Sequence, residues 1–188
     1  MAEVDHFQFE LTHPQGSTAL PGGLSLRRAE GATIRPDRLS VKAEADLGRV
    51  FVRVDAVIIG DQTWMTNPLT GNWAPLASED SPFNFLDVTQ LVVNLLGELS
   101  NVSYPAEGPA GSGPLVLEGN IPAGALSPLV GTVQQDSVLS ARLVVDRESF
   151  VLTEARVSGK LQPSDEDNYV RLFRLSGFDA QTVIEPPI

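Results

Sequence analysis

Residues 38–59 read RLSVKAEADLGRVFVRVDAVII. Leu39, Val41, Ala43, Ala45 and Leu47 alternate with Ser40, Lys42, Glu44 and Asp46, the period of two that turns one side of a strand to a core and the other to water. Gly48 supplies a turn. Beyond it Val50, Val52, Val54, Ala56 and Ile58 alternate with Phe51, Arg53, Asp55 and Val57. Two such runs about one glycine predict a long hairpin over 38–47 and 49–59.

The same period recurs outward from this hairpin. It is carried by Phe7, Phe9 and Leu11; by Leu115, Leu117 and Ile121; by Leu139, Ala141, Leu143 and Val145; and by Thr153, Ala155, Val157 and Leu161. Asp146-Arg147-Glu148-Ser149 is suited to a tight connection between the last two runs. A run from Tyr169 to Leu175 and a short one around Val183-Ile184 bring the expected total to about eight to ten strands. No regular helix separates successive strands, which favours an antiparallel meander over a parallel sheet.

Two segments change period. Ser81-Pro82 reads as a cap followed by proline, and Phe85, Val88, Leu91, Val92, Leu95, Leu96 and Leu99 then fall on one stripe, predicting an amphipathic helix from Pro82 to Leu99 that Gly97 can end early. Pro122 to Val130 predicts a turn or two of helix stopped near Gly131. Trp64 and Trp73 flank turn dipeptides, Asn67-Pro68 and Thr70-Gly71, as in a hairpin whose aromatics pack structurally.

With 13 Lys+Arg against 24 Asp+Glu the net charge is −11, which argues against nucleic acid and anionic membrane surfaces as partners. At 42% hydrophobic and 20% charged, 188 residues make one folded domain, 1–188, with a substantial core. The absence of cysteine excludes disulfides, thiolate catalysis and Cys-ligated metals. Leu91 to Leu96 is far shorter than the roughly 20 residues that cross a bilayer. Met1-Ala2-Glu3-Val4-Asp5 lacks the features of a secretion signal, a start that fits either a removed upstream segment or a native cytosolic protein.

Catalytic patterns are weak throughout. His6 and His13 lie seven residues apart with no acid or nucleophile beside them, and read as surface or half-buried histidines. Glu79-Asp80 and Asp165-Glu166-Asp167 lack the spacing of a calcium loop and read as solvated turns. The glycine-rich stretch 108–113 lacks the lysine and helix of a phosphate loop. Asn101-Val102-Ser103 matches a glycosylation acceptor, a common chance match. The expectation is a protein without catalytic residues, metal or cofactor.

Ile59-Gly60-Asp61-Gln62-Thr63-Trp64-Met65-Thr66-Asn67-Pro68-Leu69-Thr70-Gly71-Asn72-Trp73 resembles the signature stretch of the LppX/LprG lipoproteins. The resemblance continues at Glu30-Gly31, Arg35-Pro36-Asp37-Arg38, Gly119-Asn120-Ile121-Pro122-Ala123, Leu175-Ser176-Gly177-Phe178-Asp179 and Val183-Ile184-Glu185-Pro186-Pro187, in the family's order. It implies a LolA/LolB-like fold of the α+β class, mostly β: a strongly curved antiparallel half-barrel covered on its concave side by one main helix and a short second one. It further implies an extracytoplasmic protein of the cell envelope, held to a membrane through a lipidated N-terminal cysteine and carrying lipids or acylated glycolipids. This chain has no such cysteine, and only Met1 to Val4 stand where the family has a long N-terminal helix.

Under that resemblance the expected function is non-catalytic lipid binding and transport by a monomer, in an apolar cavity between sheet and helices. The candidate lining is Val50, Val52, Val54, Ala56 and Ile58 on the strand, with Val88, Leu91, Val92, Leu95 and Leu96 on the helix. The same residues packed against one another would instead give a filled core, and the alternative function is then a protein-interaction module of the envelope.

Overall fold

The computed structural model describes residues 4–77, 80–83, 86–105, 113–178 and 180–187. Glu79, Phe85, residues 108–112 of the glycine-rich stretch and Asp179 lie outside them. Twelve strands form one antiparallel sheet: β1 (His6–Gln15), β2 (Thr18–Leu20), β3 (Leu24–Ile34), β4 (Arg38–Leu47), β5 (Val50–Ile59), β6 (Gln62–Thr66), β7 (Trp73–Leu76), β8 (Ser100–Ser103), β9 (Leu115–Pro122), β10 (Val138–Val145), β11 (Leu152–Ser158) and β12 (Val170–Ser176). Among the described residues there are also two short helices, α1 (Val88–Gly97) and α2 (Ser127–Val130), with 3₁₀ turns at Pro21–Gly23 and Ala123–Leu126.

The spatial order is β7-β6-β5-β4-β3-β1-β12-β11-β10-β9-β8, with β2 beside β3. From β3 the chain meanders outward to one edge at β7; from β8, at the other edge, it meanders back to β12. β1 joins the halves by pairing with both β3 and β12. Passing from β7 to β8 requires the chain to cross the sheet, and α1 lies in that crossing. The sheet curves without closing, so that β5, β10 and α1 all contribute to one buried cluster.

Register explains the two faces. On the inner face one row runs Val54, Ala43, Ala29, Leu11, Phe173, Ala155, Leu143 and Leu117 across eight strands. One residue along, on the outer face, the row reads Asp55, Lys42, Glu30, Glu10, Arg174 and Glu154. The apolar row is buried for roughly 1.5–3 kcal/mol per large side chain, whereas the charged one gains little and keeps that face wet. Phe9 lies over Gly31 on the neighbouring strand, where a Cβ would run into its ring and the Ser40 carbonyl. Gly48, at φ 62°, makes the two-residue turn between β4 and β5.

Several expectations change. The main helix begins at Val88, not Pro82, because the Asp87 carboxylate accepts from the Gln90 amide at 2.8 Å and caps it there. Ser81 instead accepts from the Phe83 amide at 3.2 Å in a local turn. Helix α1 ends at Gly97, and α2 with its 3₁₀ turn falls within the predicted 122–130 segment. Val183-Ile184 is not a strand: this part of the chain is extended, its Ile184 packing on the outer face with Ala32, Val57 and Trp64 while Arg38 donates to the Ile184 carbonyl at 2.7 Å. The tryptophan hairpin forms, with Asn67 Oδ1 accepting from the Leu69 and Thr70 amides, and Trp73 packs against the same outer cluster.

Candidate functional site

The candidate lining residues converge incompletely. Val52, Val54 and Ala56 on β5 and Val88, Leu91, Val92 and Leu95 on α1 are buried in a single cluster, with Ile58 half-buried against it. Val50 is 54% exposed and Leu96 37%. Val50 stands at the β4–β5 turn, at the end of the inner face, and Leu96 lies about 90° around α1 from the middle of its buried stripe. Helix α1 is anchored to its neighbours by Asn94, which donates to the Ala125 carbonyl at 2.8 Å, and by the Asp87 amide, which donates to the Pro128 carbonyl at 3.0 Å.

The space between sheet and helices is filled by the protein's own side chains. Its void, bounded by Phe9, Leu11, Val41, Phe83, Leu86, Leu129 and Phe173 among others, is about 20 Å³, room for one water and lined so that none would be held. Much of the filling is aromatic. The Phe9 and Phe173 rings stack with centroids 6.1 Å apart, and Phe7 and Phe178 approach at 6.3 Å. The strand alternation set Phe9 on one face with Phe7 and Leu11, and Phe173 fell in the run from Tyr169 to Leu175, but nothing in sequence periodicity marked Phe83 or Leu129 as walls.

Where the β3–β4 and β5–β6 turns meet the start of α1, a groove of about 630 Å³ opens to the outside. Leu39, Ile58, Phe83, Leu86 and Val88 give it an apolar floor, and Arg35, Asp37, Arg38 and Asp61 a polar rim. Phe83 and Leu86 border both the groove and the internal void. They are the layer between them. Beyond the Ser81–Phe83 turn, this layer is tied by the Leu86 amide to the Phe83 carbonyl at 2.9 Å, a bond within the segment itself.

The opposite end of the sheet is held quite differently. Asp165, expected in a solvated turn, is buried: its carboxylate pairs with Arg171 at 2.8 Å, the side chains 2% and 3% exposed, and accepts from the Leu161 and Gln162 amides at 3.0 Å. Arg171 also donates to the Thr18 hydroxyl at 2.8 Å and the Ser17 carbonyl at 3.0 Å. Gln162 holds Ala19 on both sides, accepting from its amide at 2.8 Å and donating to its carbonyl at 2.9 Å. Thr18, accepting from Arg171, donates its proton to His13 Nε2 at 2.8 Å, and His13 Nδ1–H donates to the Arg27 carbonyl at 2.7 Å. Burial holds the His13 imidazole below its ordinary value of 6.5; Arg171 adds to this, against the Arg27 bond and Asp165. The neutral ring fits the network and a charged one would not.

Among the described residues no three His, Asp or Glu side chains are grouped to hold a metal ion, and no helix is long and apolar enough to cross a membrane. No family model matches the chain, and neither does any curated protein. Solved structures do. LprF from Mycobacterium bovis superposes with a TM-score of 0.68 at 14% identity, over 98% of this chain and 90% of that one. The lipoprotein LppX of Mycobacterium tuberculosis does so with 0.62 at 16%, over 98% and 91%. The chain thus has the fold of these proteins, the one that its resemblance to the LppX/LprG lipoproteins implied.

Proposed function

We propose that the protein is a non-catalytic lipid-binding protein of the cell envelope that takes acyl chains between its inner sheet face and α1, reached past Phe83 and Leu86. The observation that carries this reading is that, among the described residues, these two side chains alone border both this open groove and the apolar interior. The fold shared with LprF and LppX supports it. Displacing them would join the groove, lined by Ile58 and Val88, to the apolar residues around the void, Phe9, Leu11, Ala29, Val41 and Phe173, which share one buried cluster with Val52, Val54, Ala56, Leu91, Val92 and Leu95. Each acyl methylene moved from water to that interior contributes about 0.8 kcal/mol, so a long chain can offset the rearrangement. The headgroup, of a lipid or an acylated glycolipid, then rests at the Arg35, Asp37, Arg38 and Asp61 rim. Carriage of that lipid by a monomer, and a membrane anchor upstream of this chain, complete the proposal.

A fluorescent fatty acid titrated into the protein tests it. Saturable binding that Val92→Trp reduces by about tenfold or more, with the fold intact by circular dichroism, is the expected result. The filled interior favours a second reading, an interaction module with a solid core. Absence of saturable binding by the unaltered protein would select that reading.

A further inference from the structure

The inner faces of β4 and β5 run out beyond the core at their shared turn. Val41 borders the internal void and Ala43 and Ala45 are buried, but Leu47 is 41% exposed and its cross-strand partner Val50 is more so. On the other side of the same tip Phe51 is 48% exposed, with the Arg53 guanidinium 5.4 Å from its ring centroid. Three large apolar side chains therefore project together from a two-residue turn. The adjoining hairpin, over residues 67–72, points the same way and exposes Leu69.

The charge at this tip is opposite to that of the chain. Glu44 and Asp46, its acidic residues, pair with Arg53 at 3.3 Å and Arg27 at 2.5 Å. Arg49, exposed in the turn itself, has no ion pair among the described residues. A protein of net charge −11 thus presents a tip that is apolar and locally cationic.

We propose that the β4–β5 tip docks on an anionic lipid bilayer, with Leu47, Val50 and Phe51 entering the headgroup and acyl boundary and Arg49 meeting the lipid phosphates. Aliphatic and aromatic side chains flanked by arginines suit such an interface, because the arginine stem lies along apolar material while the guanidinium stays with the phosphates. A protein partner fits less well: a stable protein interface covers about 800 Å² on each side, far more than three side chains at a turn offer. The docking does not depend on an acyl chain entering the interior.

Co-flotation with vesicles tests the inference. The protein is expected to float with phosphatidylglycerol/phosphatidylcholine vesicles, less at high salt, and weakly with phosphatidylcholine alone. Phe51→Glu and Val50→Glu each reduce the bound fraction by about tenfold, and Arg49→Glu, which disturbs no packing, reduces it on the anionic vesicles alone. Failure of the unaltered protein to float with anionic vesicles overturns the inference. So does flotation of Arg49→Glu and Phe51→Glu equal to that of the parent. Fatty-acid uptake from vesicle-free solution separates this result from the lipid-site reading: uptake lost with flotation intact counts against the interior site only, and flotation lost with uptake intact against the tip only.

Discussion

The two ends of the sheet are closed by different physics. At the β4–β5 end a buried network of Asp165, Arg171, Gln162, Thr18 and His13 fixes the chain through directional, fully matched bonds. At the groove end the closure is Phe83 and Leu86, held by packing and by bonds within their own segment. Matched buried polar groups have one arrangement and a high cost of disruption, whereas apolar contacts can be exchanged for a ligand's at little cost. Under the proposed function, that difference makes one end rigid and the other the way in. Leu20 also borders the void and lines a second depression of about 510 Å³, but Ala19 beside it is fastened by Gln162.

The largest expected effect is at the rigid end. Arg171→Met leaves the Asp165 carboxylate buried without its cation and should lower stability by about 3–5 kcal/mol, read as a shift in urea midpoint. If that variant is as stable as its parent, the contrast between the ends is broken.

Phe83→Ala should cost somewhat less, about 3 kcal/mol, since the groove allows the site to collapse or admit water. It should also speed fatty-acid uptake, measured by stopped-flow fluorescence. Slower or unchanged uptake would move the way in away from this end.

The smallest effect is the pH dependence of the rigid end. In the unfolded chain His13 titrates near 6.5, and in the folded protein burial holds it lower, so between the two values the unfolded state binds the extra proton. The contribution is complete above about 6.5 and is lost as pH falls below it. Urea midpoints at pH 7.5 and 5 should therefore differ less for His13→Gln than for the parent; an equal difference would remove His13 from the network's pH response.

What could be read from the residues follows from how local each signal is. Strands β4 and β5 alternate without interruption and were legible in full. Strand β3 was not, because the register shift between Leu26 and Arg28 reverses its phase: Leu24 and Leu26 face inward before it, Ala29 and Gly31 after it. The helix stripe was legible, but its start was set by competition between two short polar side chains, and Asp87 prevails over Ser81. The burial of seven of the ten candidate residues, Val52, Val54, Ala56, Val88, Leu91, Val92 and Leu95, follows from period alone. Phe83 follows no period, and Asp165 is buried only because Arg171 on β12 and Thr18 on β2 meet it across the fold.

Native mass spectrometry of the protein purified from its host's membrane fraction tests the central claim most directly. The account predicts a population heavier than the polypeptide by the mass of an acyl lipid, diminished in Val92→Trp. Polypeptide mass alone, under conditions that keep a known lipid complex intact, would contradict it.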